Sequence, residues 1–377
     1  MKIKSKLPNV GTTIFTVMSA LANENKAINL SQGFPDFPID DTFKAILEKS
    51  LEEDVHQYAP MMGLPKLREE IIGIIEKHHN RQLQLEEVLI TAGATQAIFT
   101  SIQALVGKDD EIIIIDPAYD CYAPAVDLVG GKRIHIPLNE QMELDLYRIK
   151  NALNSKTRML ILNNPHNPTG TVFSKNALAQ LVELLIPYPD CIILSDEVYE
   201  FINFTTDEIS MHQFKAIHER LITISSFGKT LHVTGWKIGY LCAPLHLMKE
   251  ITKVHQFLVF SVNHYAQLAI TTYLKVCDID AISPLFQRKR DLLRDLLAGS
   301  KFKLLPCHGT YFQLIDYSRI SDEPDLDFAK KLIREHGVAT IPISVFFNSQ
   351  FEKKYLRLCF AKSDSTLTSA AEKLCAI

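Results

Sequence analysis

The 377-residue chain carries little net charge, −4 with histidines neutral, and nowhere gathers lysine and arginine densely enough to follow a phosphate backbone or an anionic membrane. Nucleic acid and a membrane surface are therefore not expected as partners. The densest basic stretch, Arg288-Lys289-Arg290, lies in an amphipathic helical pattern and reads as a solvated face. No Cys-x-x-Cys pair occurs. The seven cysteines are an odd number, and several sit in apolar runs such as Cys191-Ile192-Ile193-Leu194. Reduced, packed thiols in a cytosolic protein are expected, with no metal site. No apolar run approaches membrane-spanning length, and no apolar stretch follows the basic opening Lys2-Ile3-Lys4-Ser5-Lys6, so neither export nor embedding is expected. A Gly-x-Gly-x-x-Gly turn after an early strand is missing, which argues against a nicotinamide dehydrogenase, and the P-loop spacing is missing too. Internal repeats and low-complexity linkers are likewise lacking, so any domains should pack closely.

What is present is an alternation. Short runs rich in Ile, Val and Leu recur at Val88 to Thr91, Glu111 to Asp116, Lys132 to Pro137, Met159 to Asn163, Cys191 to Asp196, Leu221 to Ser226 and Ile238 to Ala243. Amphipathic stretches such as Lys175 to Leu185 separate them, which describes an α/β core with a mostly parallel sheet covered on both faces. Helical patterns then follow at Leu247 to Phe260, His264 to Cys277 and Ile282 to Leu297. After these comes a smaller α+β stretch, with strands at Thr310 to Ile315 and Leu356 to Ala361 and helices at Asp325 to His336 and Leu367 to Leu374. The chain's 377 residues exceed the usual size of one core, so a second, smaller domain is expected there. In open α/β sheets ligands sit beyond the carboxyl ends of the strands, so the residues after each run are the ones to inspect.

Three such segments carry chemistry. Ser225-Ser226-Phe227-Gly228-Lys229-Thr230, followed by Thr234-Gly235-Trp236-Lys237-Ile238-Gly239, sets two lysines and two hydroxyl residues among glycines, a loop able to cradle phosphate and present a nucleophilic amine. Ser195-Asp196-Glu197-Val198-Tyr199 places a carboxylate at the tip of a buried strand, where it needs a cation or several donors. Asn163-Asn164-Pro165-His166-Asn167-Pro168-Thr169-Gly170 follows a third strand, and read alone it is equally an ordinary Asn-Pro turn. Thr91-Ala92-Gly93-Ala94-Thr95-Gln96-Ala97 is a strand-to-helix junction whose first amides suit an anion, or equally a Gly-Ala turn that allows close helix packing.

In this order and register, Asn167, Asp196-x-x-Tyr199, Ser226-x-x-Lys229 and Gly235-Trp236-Lys237-x-Gly239 resemble the class I aminotransferases of fold type I, which depend on pyridoxal 5'-phosphate. Asn29-Leu30-Ser31-Gln32-Gly33-Phe34-Pro35 and Arg357-Leu358-Cys359-Phe360-Ala361-Lys362 look like the branch of methionine, aromatic and kynurenine–glutamine aminotransferases. The resemblance implies a large cofactor domain, residues 40–280, with a mostly parallel seven-stranded sheet covered by helices. It also implies a smaller α+β domain made of residues 1–39 and 281–377. Lys229 would carry the cofactor as a Schiff base and act as acid and base, with Asp196 on the pyridine nitrogen and Tyr199 and Asn167 on the phenolic oxygen. Tyr119 would stack on the ring, and Ser226, Lys237 and the backbone at Ala94 and Thr95 would hold the phosphate. Tyr58 would reach the phosphate in the partner's site and Phe260 would be lent in the same way, making a homodimer a functional requirement.

Arg357 would clamp the substrate α-carboxylate beside Asn167. Phe15, with Gly33 and Tyr58, resembles an apolar side-chain pocket, although Phe15 could equally staple the helix Thr12 to Ala22 to the core. Methionine is the expected donor, with phenylalanine, tyrosine, histidine, glutamine and kynurenine as further ones, and a 2-oxo acid as acceptor in ping-pong transfer. Two alternatives share the fold: a β-lyase acting on cysteine S-conjugates, which would release pyruvate without an amino acceptor, and a non-catalytic binding protein. Binding proteins of that kind carry a DNA-binding domain, for which the early start of the family pattern leaves no room.

Overall fold

In the computed structural model, residues 3–206, 209–349, 351 and 353–377 are described. Strands run, in chain order, over Ile28–Asn29 (β1), Val88–Thr91 (β2), Glu111–Asp116 (β3), Lys132–Pro137 (β4), Thr157–Asn163 (β5), Ile192–Asp196 (β6), Leu221–Ser226 (β7), Gly239–Cys242 (β8), Lys303–Leu304 (β9), Phe312–Asp316 (β10), Val338–Ala339 (β11), Ile341–Pro342 (β12) and Tyr355–Cys359 (β13). Seven of them form one sheet in the order β2-β8-β7-β6-β5-β3-β4. All its neighbours are parallel except where β8 enters, antiparallel to both β2 and β7.

The apolar runs read as strands because both faces of the sheet are covered. Along β3, Ile112 and Ile114 pack into one core and Ile113 and Ile115 into another, the period-two split that a doubly covered strand demands. The first core is closed by helices Gly93–Leu105, Tyr122–Val129 and Leu245–Leu258, the second by Lys175–Leu185 through Leu178, Leu181, Val182 and Leu185. The Ser174 hydroxyl caps that last helix by accepting from Ala177 N, a contact that stabilises a helix by about 1 kcal/mol.

A four-stranded antiparallel sheet, β12-β13-β10-β9, follows, and β1 pairs in parallel with β11. A third core joins Phe312 and Leu314 of β10 and Leu356 and Leu358 of β13 to helices Ile282–Leu296, Asp325–His336 and Asp364–Cys375, and takes in Met18 and Ala22 from helix Ile14–Glu24. Expected and observed elements differ mainly at their ends. The helix expected over Leu247 to Phe260 runs Leu245–Leu258, because Val259 leaves the helical region and Phe260 has φ 65°. The strand expected from Ile238 starts at Gly239, since Lys237 turns the chain through a left-handed conformation, φ 56°. Among the described residues no helix is long and apolar enough to cross a membrane.

Candidate active site

A cavity of about 150 Å³ opens at the carboxyl edge of the seven-stranded sheet. Its walls come from the ends of β5, β6 and β7 (Asn163, Asp196, Ser226), the residues just beyond them (Asn167, Val198, Tyr199, Lys229), Tyr119 after β3, and the start of helix Gly93–Leu105 with Ala94 and Thr95. Lys237, at the turn into β8, completes the rim. Of the residues singled out from the sequence, the fold thus brings Ala94, Thr95, Tyr119, Asn167, Asp196, Tyr199, Ser226, Lys229 and Lys237 to one place, where strand ends in an open α/β sheet leave a crevice.

One end of the cavity is built for an anion. Helix Gly93–Leu105 brings its first turn, which no side chain caps, to the rim with Gly93, Ala94 and Thr95. The space beside Gly93, φ 76°, is bounded by the ammonium of Lys237, whose Nζ would lie 3.4 Å from a Cβ at that position. Close approach of β8 to this helix requires Gly239, because a Cβ there would stand 2.6 Å from Ser225 O and 3.1 Å from Ala94 N.

At the other end, Asp196 is buried, and among the described residues its carboxylate receives two donors, Tyr122 Oη at 2.5 Å and Val198 N at 3.3 Å. Among the described residues no cationic side chain reaches it at ion-pair distance, and the charge of Lys229 acts on it from further away. Burial pushes its carboxyl up to about 6, against the hydrogen bonds from Tyr122 and Val198. The Asn167 loop is tied to this turn: Asn163 donates from Nδ2 to Asp196 O at 2.8 Å and accepts at Oδ1 from Asn167 N at 2.7 Å.

Lys229 follows β7 on a single helical turn, Phe227–Thr230. Its Nζ donates to Gly33 O at 3.1 Å, an oxygen shared with Tyr311 Oη at 2.6 Å, and lies 5.9 and 5.6 Å from the ring centres of Tyr199 and Tyr311. Burial pushes its amine down to about 8. The phenols of Tyr199 and Tyr119 move the other way for the same reason, so both stay protonated donors at neutral pH. His166, buried and pushed down to about 3, is neutral and bonds Thr169 Oγ1 at 2.8 Å, a structural part of its loop.

Arg357, on β13, is not in the cavity wall but is joined to it. It is fully buried, donates from Nη1 to Asn167 Oδ1 at 2.7 Å and from Nη2 to Ser31 O at 3.1 Å, and leaves Nε without a partner. Its guanidinium lies 3.8 Å from the Phe312 ring centre, 5.2 Å from Phe15 and 5.4 Å from Phe346. Burial pulls its pKa down, opposed among others by the charge of Asp120, while its hydrogen-bond partners are both neutral. Tyr58 and Phe260 stand elsewhere, 81 % and 44 % exposed, with their rings edge to face at 5.4 Å on the outer surface. Sequence reasoning missed Tyr122, Tyr311 and Phe346. For Tyr122 a signal existed, since a strand-tip carboxylate demands donors and the segment after Tyr119 holds a second tyrosine.

Residues 25–374 match the family model described as aminotransferase class I and II. The chain belongs to that family. This aminotransferase is 45 % identical over 376 residues to the methionine aminotransferase of Escherichia coli K12, covering 98 % of this chain and 97 % of that protein. It is 33 % identical to human kynurenine–oxoglutarate transaminase 3, over 97 % of this chain and 88 % of that one. Among solved structures, YbdL from Escherichia coli, reported with a methionine aminotransferase function, superposes with a TM-score of 0.97 at 44 % identity over the whole of both chains. An aspartate aminotransferase from Thermus thermophilus gives 0.91 at 27 %, over 100 % of this chain and 99 % of that one.

Aminotransferases of this family use pyridoxal 5'-phosphate to move an amino group between an amino acid and a 2-oxo acid. The cavity's chemistry fits that cofactor. It offers a helix N-terminus with an ammonium for the phosphate, a buried carboxylate short of positive charge for a protonated ring nitrogen, and an amine for the aldehyde.

Proposed function

We propose that this aminotransferase takes its amino group from an amino acid with a neutral, apolar or aromatic side chain, methionine foremost, and passes it to a 2-oxo acid in two ping-pong halves. The observation that carries the reading is the setting of Arg357: a buried cation hydrogen-bonded to neutral groups, walled by Phe15, Phe312 and Phe346, while among the described residues no arginine lines the cavity for a distal carboxylate. Such a wall favours apolar surface and penalises an unpaired second charge. The 45 % identity to a methionine aminotransferase supports the same choice.

In this reading Arg357 holds the substrate α-carboxylate through two parallel hydrogen bonds, flanked by Asn167 and Gly33, and Phe15 and Phe260 meet the side chain. When bound, pyridoxal phosphate supplies the carbonyl that receives the amino group and an electron-withdrawing ring. Lys229 would hold the cofactor, and its amine, once free, would take the proton from the substrate α-carbon. An amine lowered to about 8 suits that work near neutral pH. Asp196 would pair with the ring nitrogen, Tyr199 and Asn167 would serve the phenolic oxygen, and Tyr119 would stack on the ring. Ser226, Lys237 and the amides of Ala94 and Thr95 would hold the phosphate.

Residues 40–280 are assigned to a large domain, and 1–39 with 281–377 to a small one. The working form is a cytoplasmic homodimer in which Tyr58 and Phe260 enter the partner's site. The exposure of both rings and the free state of all seven cysteines support this assignment.

Borohydride reduction of the yellow holoenzyme followed by peptide mapping is expected to place the label on Lys229. Spectral conversion with a panel of amino acids is expected to run faster with methionine than with aspartate. A label on another side chain, or aspartate as the best donor, overturns the reading.

A further inference from the structure

The cavity occupies one face of the strand ends, and the other face carries a buried polar layer that the reaction does not touch. Neighbouring residues of a strand point to opposite faces, so Ser226 lines the cavity while Ser225 and Thr223 look away from it. Thr223 Oγ1 meets His212 Nε2 at 2.9 Å, and Arg81 Nη1 meets His212 Nδ1 at the same distance. Glu197 accepts from Ser195 Oγ, Ser210 Oγ and Met211 N, at 2.7, 2.5 and 3.0 Å.

Glu200 is the junction of this layer. Its side chain is 6 % exposed, its Oε1 accepts from the hydroxyls of Ser225 and Tyr240, the latter at 2.9 Å, and its Oε2 lies 3.6 Å from His79 Nε2. Ser225 and Tyr240 face each other across the β7–β8 ladder, and the next pair is Ser226 and Gly239. Gly239 is the residue pressed against Ala94 at the anion cradle. Glu200 therefore clamps, from behind, the pair adjoining the one that shapes the cradle. Its own backbone belongs to the other end of the cavity: Glu200 N donates to Glu197 O at 2.9 Å, in the turn that carries Asp196 and Tyr199.

We propose that Glu200 is a positioning residue for the cofactor, its carboxylate fixing the strand pair behind the phosphate cradle to the turn that presents Asp196 and Tyr199 to the ring. The proposal rests on the assignment of phosphate and ring to these two ends of the cavity. A carboxylate buried this deeply is retained where its donors must be held in register, and both donors here adjoin cofactor-facing residues.

The test compares Glu200→Ala, Glu200→Gln and Tyr240→Phe by titrating apoenzyme with pyridoxal phosphate, recording the holoenzyme absorption band across pH, and melting each apoenzyme. Glu200→Ala is expected to weaken cofactor binding about tenfold or more, equivalent to ~1.4 kcal/mol, with the absorption band or its pH midpoint displaced. Glu200→Gln and Tyr240→Phe are expected to show the same changes at smaller size. Wild-type cofactor affinity and an unshifted band in both conservative variants, with apo and holo melting falling together, overturn the proposal and leave Glu200 a structural residue only. Should Glu200→Ala yield no folded protein, Tyr240→Phe decides: altered affinity supports the proposal and unaltered affinity overturns it. Labelling of Lys229 persists in every variant if the functional reading is right, so the two ideas fail separately.

Discussion

The hydroxyl of Tyr122 donates to Asp196 Oδ2 over 2.5 Å, a short bond between a buried phenol and a buried carboxylate. Burial raises Tyr122 further from ionisation, so it remains the donor throughout the working pH range. Removing it leaves Asp196 with a single backbone donor. Tyr122→Phe should weaken cofactor binding and lower kcat by about tenfold or more, the worth of a hydrogen bond to a charged group. Unchanged values for both would show that the bond has no bearing on the ring.

Asp196 also makes the apoenzyme pH-sensitive, in the direction opposite to most carboxylates. Its folded pKa, about 6, lies above the unfolded 3.8, so between those values the folded state binds more protons and stability falls as pH rises. Above about pH 6 the full penalty applies. Asp196→Asn should therefore melt higher than wild type as apoenzyme at pH 8, by up to about 3 kcal/mol, and match it near pH 4, while activity is lost. Melting curves of the two apoenzymes at both pH values decide the matter.

Lys229→Ala removes both the covalent anchor and the base. Single-turnover conversion with methionine should slow by about a thousandfold or more, with partial recovery on adding a small primary amine. Conversion at the wild-type rate without added amine would exclude the assignment.

Arg357→Lys keeps the charge and loses the planar fork. With Asn167 Oδ1 and Ser31 O both served by the two Nη groups, a lysine cannot keep those bonds and also clamp a carboxylate. The expected result is a fall of about 30- to 100-fold in kcat/KM, carried mostly by KM.

Gly239→Ala tests the close approach at the cradle. A methyl group 2.6 Å from a backbone oxygen cannot be absorbed by a side-chain rotation, so strand or helix must shift. Destabilisation of about 1 to 3 kcal/mol is expected, with weaker cofactor binding measured by titration. A variant with unaltered affinity would show that the approach is not needed.

Much of the fold was legible because the period of the apolar residues matched the layer each element occupies. The spans expected for β3, β4 and helix Lys175–Leu185 coincide with those observed, since each is bounded by polar or turn residues. The reversed direction of β8 was not legible, because a fully buried strand has the same composition either way. Two-residue strands such as β1 and β11 exist only through their partners and leave no local pattern. Asp196, Ser226, Lys229 and Lys237 were readable because they lie at or close to strand ends, while the role of Tyr119 came through resemblance. Arg357, Gly33 and Phe15 were found through resemblance, and the carbonyl of Gly33 meeting Lys229 was not, as a backbone oxygen carries no signature. Glu200 was hidden by its neighbours: three acids stand within Asp196-Glu197-Val198-Tyr199-Glu200, and although strand-tip position and resemblance singled out Asp196, nothing in the sequence showed that Glu197 and Glu200 lie behind the sheet.

The reversal of β8 has a bearing on how Lys229 and Lys237 are spaced. Because β7 ends and β8 begins at the same edge, with Ser226 opposite Gly239, the connection 227–238 leaves and returns to one rim without crossing the sheet. Both amines are thereby slung on a single short bight of chain anchored at its two feet. A residue inserted between Lys229 and Lys237 would lengthen the one segment that sets the two amines apart, even though every strand stayed in place.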